Sequence, residues 1–410
     1  MPSPPLETRA AHGAPAGPKP LRLGILTSHA IQYQAPLFRA LAERLDLEVF
    51  FAHRQSAEQQ AAAGFGTTFD WDVDLFEGYS SRFLANRARH PGVDRFGGTD
   101  TPEIADIVRQ GGFDAFLVTG WHLRCYWQAI RACRRYGTPV LVRGDSQLAT
   151  PRSRARRLIK AGLHRWLIRQ FDGFLHVGER NRAYLLHYGA RPERLFFVPH
   201  FVDNAWFQTH ARAATGNRSA LRARLGIAPQ ERVILFAGRL VPFKRVADIV
   251  RATARLAART GAGVRLVIAG SGPLETDLER LAAAVRAPVT FAGFQNQTAL
   301  PAFYDLADLL VLSSTGRETW GLVVNEAMAS GTPAVVADTV GCAPDLIDEG
   351  PTGSRYPCGD VAALAAAIEA LLGRKSEPAV QRALAAKMAA YSPATAADSV
   401  CAALQELRRT

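Results

Sequence analysis

The stretch Glu318-Thr-Trp-Gly-Leu-Val-Val-Asn-Glu326 places two carboxylates eight positions apart, shortly after an apolar run at Leu309 to Leu312. The apolar run predicts a buried strand, followed by a helix that begins at about Gly321 and ends near Gly331. Glu318 would then lie just before the helix and Glu326 within it. The free backbone N–H groups at the start of the helix would lie between the two acids, where they can bind an anion.

A ligand that fits this arrangement carries hydroxyls at both ends and phosphates in the middle, as a sugar nucleotide does. For an arbitrary pair of glutamates the simpler interpretation is a loop acid and a helix acid with no common role. The pair indicates a binding site only if independent motifs nearby select the same ligand.

The order of apolar segments predicts the architecture. With 410 residues the chain is long for one core and predicts two domains. Short apolar strands alternate with helix-period segments up to Val198, and the alternation restarts at Val233. This pattern predicts an α/β fold of two doubly wound, Rossmann-like domains that face each other across a cleft. The predicted division is a disordered tail over 1–20, a first domain over 21–205, a linker over 206–231, a second domain over 232–390 and a closing helix over 391–410.

Composition narrows the class of partner. The formal net charge of +12 favours anionic partners, which include nucleic acid, acidic lipid and phosphorylated small molecules. The sequence carries no signature of a nucleic-acid-binding module, so we expect no nucleic acid partner. The five cysteines are scattered without metal-ligand spacing, which is typical of free thiols in a reducing compartment. Because no apolar run is long enough to span a bilayer, we predict a cytoplasmic protein.

Three further motifs follow strands of the second domain. Gly238-Arg-Leu-Val-Pro-Phe-Lys244 places Arg239 and Lys244 at a strand end, where two cations could clamp a diphosphate. Gly270-Ser-Gly-Pro273 follows the next strand, and its glycines would let the backbone approach a ligand closely. Gly293-Phe294 follows the third strand. Each motif alone has a plain alternative, either a solvated basic loop or a tight turn.

Taken together and in this order, the motifs resemble the nucleotide-binding half of the retaining glycosyltransferases of family 4, the glycosyl transferases group 1, which have the GT-B fold. The resemblance covers residues 230–375 closely and the first half more loosely. It implies a retaining, metal-independent hexosyltransferase that moves a sugar from a nucleoside-diphosphate sugar to a hydroxyl acceptor. The implied acceptor is a glycan or glycolipid in polysaccharide or cell-envelope biosynthesis, and no cofactor or metal is implied.

The resemblance also implies residue roles. Arg239 and Lys244 would neutralise the donor diphosphate as the glycosidic bond breaks. Glu318 would accept hydrogen bonds from the donor sugar, and Glu326 would bind the ribose hydroxyls. The remaining donor-binding residues would be Gly270, Ser271, Gly272, Phe294, Trp320, Gly321 and Leu322.

The first half departs from the family pattern at two strand ends. Thr27-Ser-His-Ala-Ile-Gln-Tyr33 stands where many members have a glycine pair, and Asp145 stands about where many have a histidine. Asp145 and His122, which follows another strand in Thr119-Gly-Trp-His122, are the two further catalytic candidates. Either group could take the acceptor proton. In the front-face mechanism proposed for such enzymes the leaving phosphate does so, and no protein base is required.

The segment from Arg152 to Arg169 has seven basic residues and no acid, with apolar residues at helical spacing. One interpretation is an amphipathic helix resting on anionic lipid, which would make the protein peripheral at the cytoplasmic face of a membrane. The interpretation we favour is a core-facing helix with a solvated basic face. A second segment, from Gly64 to Tyr79, is predicted to be a loop that faces the cleft.

Two other functions remain open from the sequence. Some nucleotide-sugar epimerases share the GT-B architecture, and a non-catalytic sugar-nucleotide-binding module would need only the clamp and the glutamate pair. The donor base and sugar, the acceptor, the linkage and the oligomeric state are left open by these motifs.

Overall fold

The computed structural model describes residues 20–62, 66–150, 154–260 and 263–409, and it describes the side chains of these residues except for 154–160 and 260. The predicted tail, apart from Pro20, lies outside these ranges. Two parallel sheets form the centres of two domains, which confirms the predicted α/β architecture.

The first sheet has seven strands in the order β3-β2-β1-β4-β5-β6-β7. Its strands are β1 (Arg22–Thr27), β2 (Asp46–Phe51), β3 (Ser80–Phe83), β4 (Ala115–Val118), β5 (Val140–Gly144), β6 (Gly173–His176) and β7 (Leu195–Phe197). The helices are α1 (Ala35–Ala42), α2 (Ala57–Gln60), α3 (Ile104–Gln110), α4 (Arg124–Tyr136), α5 (Arg154–Ile168) and α6 (Glu179–His187). Strand β4 is buried along its whole length, as expected for a parallel strand covered by helices on both faces.

The second sheet has six strands in the order β10-β9-β8-β11-β12-β13. Its strands are β8 (Arg232–Ala237), β9 (Val264–Ala269), β10 (Val289–Gly293), β11 (Leu309–Leu312), β12 (Ala334–Ala337) and β13 (Gly353–Tyr356). The helices are α9 (Val246–Thr260), α10 (Glu275–Ala284), α11 (Leu300–Leu306), α12 (Leu322–Ala329), α13 (Ala343–Leu346), α14 (Val361–Leu371) and α15 (Pro378–Ala390). Strand β11 and helix α12 have the positions predicted from the Glu318 stretch.

Three helices lie where the chain passes between the two domains. Within and beside the predicted linker lie α7 (Asn204–Ala214) and α8 (Arg218–Arg224), whose Phe207 and Leu221 pack into the core of the second domain. The last helix, α16 (Pro393–Arg409), packs against the first domain, where Val400 and Leu404 join its core. The chain therefore crosses between the domains twice. The domain boundaries given above stay a prediction.

Several described elements were not predicted, and β3, β13 and α3 show why. Strands β3 and β13 are edge strands with sequences Ser-Ser-Arg-Phe and Gly-Ser-Arg-Tyr, which lack the apolar runs of the central strands. Polar residues are common on edge strands because one side of the ladder faces solvent. Helix α3 buries only Ile104 and Val108, too few to produce a clear helical period. Among the described residues, every helix is too short or too polar to cross a bilayer.

Candidate active site

A cavity of about 400 Å³ lies between the carboxyl ends of the two sheets. Eleven of the thirteen predicted site residues line it: Asp145, Arg239, Lys244, Gly270, Ser271, Phe294, Glu318, Trp320, Gly321, Leu322 and Glu326. Gly272 and His122 are not among the lining residues. Most of the residues chosen from the sequence therefore line one cavity, and the role of each residue stays a prediction.

Strand order explains why the motifs meet. In the second sheet the order reverses between β8 and β11, which are paired neighbours. Ligands of doubly wound sheets bind at such a switch point, in the crevice outside the strand ends. The loop after β8 carries Arg239 and Lys244, and the loop after β11 carries Glu318, so the fold brings these groups together across 74 positions of sequence.

An ion pair joins the Lys244 ammonium to the Glu318 carboxylate, and both side chains are largely buried. The Ser314 hydroxyl donates to the same carboxylate oxygen at 3.0 Å. The turn that carries Lys244 is fixed by Ser313, whose hydroxyl donates to the Lys244 carbonyl at 2.7 Å. The next residue, Arg245, has a φ of 52°, a strained left-handed conformation for a residue with a side chain. The site thus holds a buried cation in a fixed position.

The start of α12 forms the next wall of the cavity. Gly321 caps the helix with a φ of 102°, and a Cβ there would lie 2.6 Å from the Leu312 side chain. Only glycine fits this bend between the end of β11 and the helix. Because the first-turn N–H groups of a helix have no partner within it, the cavity receives the positive end of the α12 dipole at Leu322 and Val323.

Glu326 lies one turn into α12 and is 7% exposed. The Tyr304 hydroxyl on α11 donates to its carboxylate at 2.5 Å. Burial raises the pKa of Glu326 to about 7, against the opposing effects of the Tyr304 hydrogen bond and the Lys244 charge. Sequence reasoning missed Tyr304, because helix packing rather than a motif brings it to the site.

The glycine turn after β9 has two different functions in the fold. Gly270 lines the cavity, and a Cβ there would lie 1.9 Å from the Gly238 carbonyl oxygen. Gly272, with a φ of 152°, instead packs against the backbone of Leu240. Gly270 therefore permits two strand-end loops to approach each other, and Gly272 fixes the turn behind them.

The first-domain wall consists of Gln32, Tyr33, Trp71, Asp145 and His200. Asp145 accepts a hydrogen bond from the Thr319 hydroxyl at 2.5 Å, so this carboxylate bridges the two domains. Of these five residues, sequence reasoning proposed a role in the reaction only for Asp145. The available signal for the others was that Gln32, Tyr33 and His200 closely follow predicted strands.

His200 is buried between two aromatic rings. Its imidazole centroid lies 5.5 Å from that of Tyr33 and 5.4 Å from that of Trp320. Burial and the nearby Arg143 charge lower its pKa well below the ordinary value, so the ring is neutral. Its Nδ1 is buried and has no hydrogen-bond partner among the described residues.

His122 differs from the other candidates. Its side chain is exposed on the loop between β4 and α4, with its ring centroid 5.8 Å from that of Tyr126. The surrounding protein displaces water from part of the ring and lowers its pKa, against the opposing effect of Asp145. The structure therefore does not bring His122 into the cavity wall.

Direct contacts close the cleft on two sides. The Gln147 amide donates to the carbonyls of Gly316 at 3.1 Å and Glu318 at 2.8 Å. On the other side the loop before β3 crosses to the second domain, where the Thr298 N–H donates to the Asp72 carboxylate at 3.2 Å. This is the loop predicted to face the cleft, although its Gly64 and Phe65 lie outside the described residues.

Two Rossmann-like domains with a cleft between their strand ends define the GT-B fold. Solved structures agree with this assignment. A glycosyltransferase from Rickettsia africae matches with a TM-score of 0.70 and 12% identity, covering 95% of this chain and 99% of that one. Anabaena Alr3699/HepE, solved in complex with UDP and glucose, matches with a TM-score of 0.68 and 16% identity, covering 94% and 99%.

Residues 217–389 match the family described as glycosyl transferases group 1. The D-inositol 3-phosphate glycosyltransferase of Mycobacterium bovis (strain BCG / Pasteur 1173P2) is 35% identical over 238 residues, which cover 56% of this chain and 47% of the relative. The enzyme of the same name from Mycobacterium tuberculosis (strain ATCC 25618 / H37Rv) gives the same figures. The matched region thus spans about half the length of the curated relatives.

Proposed function

We propose that this protein is a retaining, metal-independent glycosyltransferase of family 4 that transfers a sugar from a nucleoside-diphosphate sugar to a hydroxyl acceptor. One observation carries the proposal: Arg239, Lys244, the α12 N-terminus, Glu318 and Glu326 share one cavity. This set contains the cations, backbone donors and carboxylates that a diphosphate between two polyols needs.

The main chemical requirement of this reaction is to stabilise the negative charge that develops on the leaving group. As the bond from the anomeric carbon to the diphosphate breaks, negative charge grows on the phosphate oxygens. Lys244 and Arg239 stabilise that charge, together with the α12 N-terminus. Glu318, already bound to Lys244, accepts hydrogen bonds from the sugar hydroxyls and keeps the ammonium oriented between sugar and phosphate.

The acceptor proton has two routes in this proposal. In the front-face mechanism a leaving phosphate oxygen takes it as the acceptor oxygen bonds to the anomeric carbon on the same face. Asp145 would be the alternative base, but its carboxylate is engaged by the Thr319 hydroxyl. We favour the phosphate route. We assign Asp145 a structural role, in which its hydrogen bond with Thr319 holds the first-domain wall against the loop after β11.

The relatives support this class of reaction without fixing its substrates. Alr3699/HepE was solved with UDP and glucose, and the mycobacterial relatives are named for transfer to an inositol phosphate. The proposed biological context is polysaccharide, glycolipid or cell-envelope assembly by a cytoplasmic enzyme.

A ligand screen followed by an assay tests the proposal. Uridine and guanosine diphosphate sugars are compared by thermal shift, because a ligand that binds only the folded state raises its apparent stability. The best donor is then incubated with and without hydroxyl acceptors and with a chelator. We expect diphosphate release that depends on acceptor, persists with chelator and yields a product with the anomeric configuration of the donor.

Three outcomes would contradict the proposal. Epimerisation of the donor without acceptor would identify a GT-B epimerase. Inversion at the anomeric carbon would exclude the retaining mechanism. Binding of a donor without turnover across a broad acceptor panel would identify a binding module.

A further inference from the structure

Helices α4 and α5 present an apolar and basic surface that the proposed reaction does not use. We name it the α4–α5 surface and define it by Arg124, Trp127, Arg131, Leu163 and Trp166 of the two helices together with Phe96, which precedes α3, and these residues line a shallow groove of about 610 Å³. Phe96 is 55% exposed, Leu163 57% and Trp166 50%. We propose that the α4–α5 surface binds the anionic headgroup layer of a lipid bilayer.

The apolar residues of α5 are divided between two environments. Leu167 and Ile168 are each 3% exposed and pack into the core of the first domain. Leu163 and Trp166 lie half exposed on the same helix, which the core-facing interpretation of this segment does not account for. A helix with leucine and tryptophan projecting from a basic surface is suited to the boundary between headgroups and acyl chains.

The aromatic side chains are held in place. The Trp166 ring stacks on Trp127 with 5.3 Å between centroids. The Trp127 N–H donates to the Trp121 carbonyl at 2.9 Å, and Trp121 stacks on the buried Tyr184. Because these rings are already ordered, insertion into a bilayer costs little conformational entropy.

The positive charge of the α4–α5 surface favours anionic lipid over other apolar partners. Neither α4 nor α5 contains an acidic residue, and the four arginines of α4 and Arg165 of α5 are exposed. Among the charged groups at the groove, Arg124 is paired with Asp100 at 3.1 Å. Arg165 and Arg169 are exposed beside Trp166. An isologous dimer through this surface would bring the exposed Arg131, Arg165 and Arg169 of two copies together, which disfavours a second copy as the occupant.

The position of the α4–α5 surface is compatible with a lipid-linked acceptor. Helix α4 begins just after the carboxyl end of β4, and Asp145 follows the neighbouring β5. The start of α4 therefore lies on the cleft side of the first domain. Bilayer binding itself does not depend on the proposed reaction and can be measured without donor or acceptor.

The experiment is co-sedimentation of the full chain with vesicles of phosphatidylcholine alone or mixed with phosphatidylglycerol. We expect binding to the mixed vesicles only. The double variant Leu163→Ser/Trp166→Ser should lower partitioning at least about tenfold, since two apolar side chains no longer insert. Charge reversal by Arg165→Glu/Arg169→Glu should lower partitioning by at least about 25-fold, since each positive charge removed costs about fivefold.

Matched controls lie elsewhere on the surface. Val285→Ser removes a residue that is 37% exposed on the second domain. Arg382→Glu/Arg408→Glu reverses two exposed charges on α15 and α16. Both should bind vesicles like the unaltered protein, and circular dichroism should show that all variants are folded.

Five results would overturn the proposal. These are equal binding to neutral vesicles, unchanged binding of Leu163→Ser/Trp166→Ser, and an equal loss in the control variants. The fourth is competition by RNA at the same ionic strength that depends on Leu163 and Trp166, because this would assign the surface to nucleic acid. Light scattering that shows a dimer lost in Trp166→Ser would assign it to a second copy and would also overturn it.

Discussion

The two walls of the cleft differ in how their polar groups are held. On the second-domain wall the charged groups have protein partners at strand ends, with Lys244 on Glu318 and Tyr304 on Glu326. On the first-domain wall the polar groups include the neutral ring of His200 and the phenol of Tyr33, and burial raises the pKa of Tyr33 far above its ordinary value. The molecule thus has one charged, pre-organised wall and one mostly neutral wall.

Under the proposed function, the charged wall binds the donor diphosphate and the mostly neutral wall binds the acceptor. A diphosphate has the same charge whatever sugar it carries, so the wall that binds it can be built from a few fixed motifs. An acceptor is recognised by shape and hydroxyl positions, for which neutral donors and aromatic faces are suitable. We therefore expect substitutions on the second-domain wall to have the larger effects.

The largest effect is expected for Lys244→Ala. This change removes a buried cation and leaves the Glu318 carboxylate uncompensated beside the phosphates. Loss of one preorganised group that stabilises leaving charge predicts a fall in kcat on the order of 10²–10³. Lys244→Arg should recover part of it, because it restores the charge but not the geometry.

The control for this prediction is Arg382→Ala, which removes an exposed cation on α15. Steady-state kinetics on all three variants provide the measurement. If Lys244→Ala keeps kcat within about threefold of the unaltered enzyme, the charged wall does not stabilise the leaving group.

The next effect concerns Glu326 and depends on pH. The ionised carboxylate can accept two ribose hydroxyls, but with its pKa raised to about 7 it is largely protonated in mildly acidic solution. Glu326→Gln should weaken donor binding about tenfold well above that pH and much less below it. Calorimetric titration of the donor across this range provides the measurement, and a constant ratio at all pH values would contradict the assigned cause.

The same titration predicts a change in stability. Burial raises the Glu326 pKa from 4.5 to about 7 in the folded protein, so the folded state retains a proton that the unfolded state loses. This contribution to the free energy of unfolding is complete below pH 4.5 and is lost as pH rises through about 7. Urea unfolding of Glu326→Gln should show a weaker decline over this interval, and an unchanged slope would indicate that another group titrates there.

Sequence and structure agree best where a motif directly follows an apolar strand. The start of α12 at Leu322 and the meeting of Lys244 with Glu318 follow from such motifs, because strand ends of a parallel sheet share one edge. Tyr304 reaches Glu326 through the packing of α11 on α12, and no local pattern encodes that contact. The division of α5 between core and solvent depends on the neighbouring α4, so helical period alone could not predict it.

A smaller effect is expected for Asp145→Asn on the first-domain wall. The amide oxygen can still accept the Thr319 hydroxyl, so the bridge between the domains is kept while the charge is lost. If the leaving phosphate takes the acceptor proton, kcat should fall less than about tenfold with unchanged donor affinity. A fall on the order of 10³, with loss of the acidic limb of the pH–rate profile, would instead identify Asp145 as the base and would remove the contrast between the two walls.

The smallest effect is expected for His122→Ala. His122 follows a strand end as Asp145 does, but its ring is exposed on the loop before α4 and lies outside the residues that line the cavity. Its truncation should change kcat and donor KM by no more than about twofold, because neither the donor site nor the first-domain wall loses a contact. Kinetics with a small soluble acceptor provide the measurement, with His200→Ala as the comparison, since His200 lies in the wall between Tyr33 and Trp320. If His122→Ala is the more damaging of the two, the acceptor must reach beyond the cavity towards the start of α4.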